Sequence, residues 1–352
     1  MRTAFLILFF VANVAIAQTT QPAERETLLS DVVQLTSSYA RAGEAYFSPD
    51  MQWMIFQGVP KGEEHYQMYL MRLTEKDGLL APGATWRPSP AGSRNTCGYF
   101  SPDGKSLLFA STFGKERADE PASGYKREGR SYVWSFPSGM EICVIDDWQD
   151  RLDARPSLDR FLRRITDNDV YDAECAFSPD GKWICFTRGA GKDADIYVMR
   201  ADGSGAVKVV GEAGYDGGPF FSPDGKRLVY RSDRKGNDLL QIFVADLAFD
   251  DAGNITGMKQ ERQLTNDNNV NWGPYWHPGG NYIVYATSAH GHQNYELYLM
   301  RDDGTQPTRV TYKDGADVLP SFSADGKWLL WTSKRTADGT TQVFGARFAL
   351  PE

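Results

Sequence analysis

At 352 residues, with 34 glycines, 18 prolines and 13% aromatics, the chain carries too many turn formers to be helical and reads as many short strands. A formal charge of −8, with no dense run of Lys and Arg, excludes nucleic acid and anionic membrane surfaces as partners. Four cysteines are too few to frame a chain this long, and no later stretch approaches the ~20 apolar residues of a membrane-crossing helix.

The chain starts with Arg2, an apolar run over residues 4–10 that weakens towards 16, then Ala15 and Ala17 just ahead of Gln18. A basic start, a short apolar middle and small residues before a cut mark a cleaved secretory signal, expected over residues 1–17. No cysteine sits at the cut, so no lipid anchor is expected there, and the compartment is periplasmic or secreted. After a short segment, residues 18–30, comes a lone strand pattern over residues 31–36, ending in Leu35-Thr36.

One segment then recurs six times. An aromatic or small residue (Tyr46, Tyr99, Ala176, Phe220, Tyr275, Ser321) precedes Phe-Ser-Pro-Asp-Gly-Lys or a variant of it, whose second residue is Ser48, Ser101, Ser178, Ser222, His277 and Ser323. Proline presets φ for a tight turn and glycine takes the left-handed position after it, so each copy is a hairpin turn. Each is followed by an apolar strand containing an aromatic: Phe56, Phe109, Phe186, Tyr230, Tyr285 and Trp331. A second pair follows in most copies, as in residues 195–200 and 296–301, turning at Asp202-Gly203 and Asp303-Gly304 and closing on Ile165-Thr166, Leu264-Thr265 or Val310-Thr311. Four strands per unit, with copies 44 to 77 residues apart, are propeller blades. The expected fold is all-β: one six-bladed propeller of four-stranded antiparallel blades over residues 31–350. The sixth copy supplies only three strands, so residues 31–36 should pair with residues 342–348, bury Val32, Val33 and Leu35, and close the ring. Blade two carries an insertion at about residues 113–136 and an extension over 146–163, both places where function can gather.

The turn motif, with its Ile-Tyr-Val-Met and Leu-Thr strands, resembles the TolB-type propeller repeat over about residues 31 to 348. The resemblance implies a six-bladed ring and a periplasmic, protein-binding scaffold; TolB itself works beside the Pal lipoprotein in the Tol envelope system. It also places a separate α/β domain before its propeller, where this sequence offers only residues 18–30, so a TolB-like propeller is expected rather than TolB.

Alignment on the motif serine exposes a ring six residues upstream: Ala42, Asn95, Asp172, Asp216, Asn271 and Asp317, with Glu44 and Glu174 two residues further in. At the mouth of a channel these carboxylates could hold Ca²⁺, with Asp172, Asp216 and Asp317 as ligands, or grip a cationic group of a partner. Alternatively each side chain caps its own loop, and repetition with the blade favours that reading. Arg188 and Arg231 open loops of the same face and could orient an anionic or peptide ligand. His290 and His292 lack an obvious third zinc ligand. Cys175 and Cys185 could form a cross-strand disulfide if they stand opposite each other, whereas a register shift of one residue would put them on opposite faces. Cys97 and Cys143 should stay free and buried. No Gly-x-Ser-x-Gly elbow, His-Glu-x-x-His or P-loop appears, so no catalytic set is identified and no cofactor is firmly implied. The expected function is a monomeric, non-enzymatic scaffold that binds an envelope protein or peptide through its channel-mouth loops. The alternative is a metal-dependent lyase or hydrolase acting on polysaccharide or peptide, with Asp172, Glu174, Asp216 and Asp317 converging at the mouth.

Overall fold

The computed structural model describes residues 25–115, 124–128, 131–153, 157–191 and 193–351, with the backbone alone described within 124–135. Six four-stranded antiparallel sheets form the blades of a propeller. Their innermost strands are Tyr39–Phe47, Asn95–Phe100, Tyr171–Phe177, Asp216–Phe221, Asn271–Trp276 and Asp317–Phe322. Residues 1–17, expected to be a secretory signal, and most of the segment 18–30 lie outside the described residues.

The repeated turn is held by its own side chains. In five blades the serine hydroxyl donates to the aspartate two residues on, as Ser101 to Asp103 at 2.6 Å. The same oxygen accepts a backbone N–H five residues on, and the aspartate accepts the N–H two residues beyond it. In blade five, His277 takes the place of serine, and its Nδ1 accepts the Gly279 N–H at 3.1 Å.

The closing Leu-Thr motif has a similar cause. Thr166 and Thr311 donate to Glu141 and Glu296 at the start of the third strand, each at 2.6 Å. Each threonine oxygen also accepts the next backbone N–H, from Ile142 and Leu297. Thr36 does the same in blade six, donating to Gln342 at 2.8 Å and accepting the Val343 N–H at 2.9 Å across 307 residues of chain.

The N-terminal strand therefore closes the ring, running Leu29–Gln34 antiparallel to Gln342–Phe348. It begins two residues earlier than the sequence pattern suggests, and it bulges between Ser30 and Val33, with Asp31 at φ 57°. The bulge corrects one expectation: Leu29 and Leu35 are buried, but Val32 turns out to solvent.

Apolar clusters fill the spaces between neighbouring blades, so each blade is stable only beside the next. The 146–163 extension joins this core. Trp148 is fully buried against Trp53 and Phe100, and its Nε1 donates to the Gly104 carbonyl at 2.8 Å. Among the described residues of this extension, Trp148, Leu158 and Leu162 tie it into the core.

Candidate functional site

Each innermost strand breaks its pairing at the same place in all six blades, and that of blade one also breaks nearer its start, between Tyr39 and Arg41. Within the break sit Glu44, Cys97, Glu174, Gly218, Gly273 and Leu319, with φ between 46° and 60°. Glycine adopts that left-handed backbone freely; the four other residues each accept about 1–2 kcal/mol of steric cost. A bulge of this kind re-aims a side chain. Here it gathers Glu44, Cys97 and Glu174 around the axis.

Glu174 anchors the resulting chamber. Its carboxylate accepts from the Tyr215 hydroxyl at 2.7 Å, the Thr187 hydroxyl at 2.9 Å and the Gly218 N–H at 2.6 Å. Arg231 lies against it at 3.2 Å and donates to the Tyr215 oxygen at 2.7 Å. The Arg231 guanidinium also faces the rings of Tyr215 and Trp272. Arg231 is 7% exposed, and its buried Nε–H meets no acceptor among the described residues.

Glu44 faces this pair with looser contacts. Its backbone N–H donates to Thr332 at 2.8 Å, and its carboxyl receives the Tyr46 hydroxyl at 3.5 Å. The side chain keeps partial access to the channel, yet protein surrounds it. Burial, reinforced by the charge of Glu174 and opposed by Cys97 and Arg231, pushes its carboxyl up to about 7. Burial likewise drives the thiol of Cys97 and the phenol of Tyr215 well above their ordinary ranges.

Below the chamber the channel is plugged. Tyr46, Tyr99, Phe220 and Tyr275, one from each of four blades, pack with ring centroids 4.9–6.0 Å apart. The hydroxyls of Tyr99 and Tyr275 meet across it at 2.9 Å. Beyond the plug, the six motif turns frame an apolar funnel of about 300 Å³, ringed by Pro49, Pro102, Pro179, Pro223 and Pro278. At the other end, the blade-two insertion forms a separate hairpin of Gly124–Glu128 and Ser131–Ser135. The chain leaving it places Phe136 over Tyr171 and stacks it on Tyr215, with centroids 5.0 and 5.4 Å apart. The insertion thus returns to the chamber's own wall.

The structure divides the candidate ring in two. Asn95, Asp172, Asp216, Asn271 and Asp317 are all buried beside the loops rather than facing an open mouth. Asp172 is held by Arg188 through two 2.7 Å hydrogen bonds, Asp216 by Arg234 at 2.9 Å, and Asp317 by Arg335 at 2.6 Å. Asp216 also caps the Glu212 N–H, while Asn95 and Asn271 bond Ser93 and Asp267 within their own loops. The expected convergence of Asp172, Asp216 and Asp317 on one Ca²⁺ is corrected accordingly: each carboxylate is taken up by a guanidinium of its own blade. Arg188 serves that pairing, whereas Glu44, Glu174 and Arg231 come together in the chamber. Sequence reading missed Cys97, Tyr215, Trp272 and Phe136. Gly218 and Gly273, in register with Glu44 and Glu174, were the available sign that this position turns left-handed in every blade.

The disulfide reading is also corrected. Cys185 pairs with Ala176, because the register lies one residue away and the bulge follows at once. The Cys185 thiol donates to the Pro219 carbonyl at 3.3 Å and that of Cys175 towards the Cys97 carbonyl at 3.7 Å, and all four cysteines are free and buried.

Comparison with known proteins agrees with this architecture. The family model described as TolB beta propeller domain matches residues 175–261 and 253–349. A TolB homolog of Chlorobium luteolum is 37% identical over 165 residues, covering 47% of this chain and 34% of that protein, so the match spans about a third of the relative. Among solved structures, a TolB-type protein of Agrobacterium tumefaciens superposes with a TM-score of 0.56 at 18% identity, over 88% of this chain and 91% of that one. An oligogalacturonate lyase in complex with manganese superposes at 0.50 with 16% identity, over 93% and 96%. At such identities the structures share the fold. Repeat, blade count and family match together make the chain a TolB-like six-bladed β-propeller protein.

Proposed function

We propose that this chain is an exported, periplasmic propeller that binds a protein or peptide partner at the chamber end of its channel, without chemistry of its own. The observation that carries this reading is the placement of Phe136 on Tyr215. It puts the blade-two hairpin beside a chamber holding a buried, incompletely bonded arginine. A separate two-stranded hairpin is marginally stable by itself in water, and its strands present backbone groups to which an extended peptide can add. TolB-like kinship supports a scaffold in the cell envelope.

Capture of partners from envelope extract tests the reading. The full chain is compared with a variant whose residues 116–131 are replaced by a short glycine turn. Loss of the partners held by the full chain is expected, whereas an unchanged set of partners rejects the channel end as the binding face.

A further inference from the structure

We infer that the end of the channel away from the chamber is a second binding site. It takes an extended segment of a partner protein, with a large apolar side chain in the funnel and an arginine two positions along in a cleft between blades two and three. This site is independent of the chamber and of what binds there.

The funnel supplies the anchor point. The turn prolines form its walls and the rings of Tyr99, Phe220 and Tyr275 its floor, and its volume of about 300 Å³ suits one large apolar side chain. An apolar hollow left open to water marks an interaction site, and tryptophan and arginine are favoured anchors of such sites.

The neighbouring cleft decides what stands beside that anchor. Four blades pair an arginine of the third strand with an aromatic of the second, as Arg72 with Trp53 and Arg347 with Trp328, the guanidinium 4.4–5.0 Å from the ring centre. Blade four lays Arg227 on Trp276 of the next blade, at 4.7 Å. Blade two has Ser106 opposite Asp146 at this position, without ring or guanidinium. Both residues line a cleft of about 580 Å³ that shares Pro102, Phe177 and Pro179 with the funnel. Asp103, Asp180 and Asp202 line it too. Among the described residues, Arg163 pairs with Asp146 at 3.0 Å and the exposed Lys182 with Asp180 at 3.3 Å, while no ion pair reaches Asp103 or Asp202. The cleft therefore keeps an excess of negative charge at the place where the sister blades hold a guanidinium.

An arginine brought by a partner supplies the missing group. Its planar fork of donors reaches two carboxylates at once, which the point charge of a lysine does not. In an extended segment, side chains two positions apart share a face roughly 7 Å from each other, so the sequence apolar-x-Arg reaches both adjoining hollows.

Fluorescence anisotropy on the full chain tests this with dye-labelled, end-blocked peptides of the sequence Gly-Trp-Gly-Arg-Gly. At low salt this peptide is expected to bind about tenfold more tightly than versions with alanine for tryptophan or glutamine for arginine, and more tightly than one with lysine for arginine. Ala324 lines the funnel at an exposed turn, so Ala324→Glu puts a charge in the hollow without disturbing the core and should abolish binding. Ser106→Trp combined with Asp146→Arg installs in blade two the pair its sister blades use. That variant should lose the preference for arginine over glutamine and keep the preference for tryptophan over alanine. Replacing residues 116–131 should leave peptide binding unchanged, which separates this site from the chamber end. Arginine preferred no more than glutamine or lysine, unchanged binding in Ala324→Glu, or no binding by any peptide overturns the inference. Self-association of the chain that Ala324→Glu abolishes assigns the funnel to a second copy and overturns it as well.

Discussion

Gly218 has no room for a side chain. Its φ is 60°, and a Cβ there would stand 1.9 Å from Arg231 Nη1, while Tyr215 and Trp272 hem the guanidinium in. Gly218→Ala should therefore displace Arg231 from Glu174 and cost about 1–2 kcal/mol for the backbone alone. Chemical denaturation should show a lower midpoint with an unchanged slope. Glu44 makes a second prediction, about pH. Its folded carboxyl titrates at about 7, above the ordinary glutamate value, so the folded state holds the proton more tightly than the unfolded one. That contribution is complete below the ordinary glutamate range and is lost as pH rises through 7. Glu44→Gln should flatten the fall in melting temperature between pH 5 and pH 8. The turn aspartates act in the opposite sense. Hydrogen bonds from Ser101 and the Lys105 N–H hold Asp103 below the usual carboxylate range, and the other serine-bonded turns of blades three, four and six share the direction. Their stabilisation is present above the ordinary aspartate range and lost on acidification below it, so melting temperature should fall again in acid. Asp103→Asn together with Asp325→Asn should shallow that fall.

At the level of elements, one threonine shows how the ring is fastened. Thr36→Val keeps the shape of the side chain but leaves the Gln342 amide oxygen and the Val343 N–H without their buried partner. The expected loss is about 1–3 kcal/mol. Thr311→Val, which removes the same pair of bonds in blade five, should match it in a denaturant titration. If Thr36→Val proved neutral while Thr311→Val did not, the N-terminal strand would not carry a blade's share of stability. These elements were legible in the sequence because the cause is local: Ser-Pro-Asp-Gly builds its own turn, and Leu-Thr its own latch. The exact strand start was not, since the bulge at Asp31 depends on the partner strand. Nor was the role of the 146–163 extension, because only packing shows that Trp148 fills a space between Trp53 and Phe100.

For the molecule as a whole, repetition made the six-bladed ring readable and the chamber only partly so. A repeat reveals what every blade shares, and the Asx ring is taken up within its own blades, the aspartates by arginines and the asparagines by their own loops. The chamber is built from what differs: a glutamate where blades four and five have glycine, one arginine, one tyrosine, and a hairpin from blade two. Those residues are far apart in sequence, and a left-handed bulge turns them onto one axis, so side-chain direction had to be seen rather than counted. The closing strand carries a different consequence, in time rather than space. Leu29–Gln34 leaves the ribosome well before its partner Gln342–Phe348, with five whole blades made between them. Five blades can be made while Leu29 and Leu35 have nothing to bury against. That strand thus waits for the sixth blade before it finds its place, and throughout that interval the growing chain exposes the very edge that the finished ring hides.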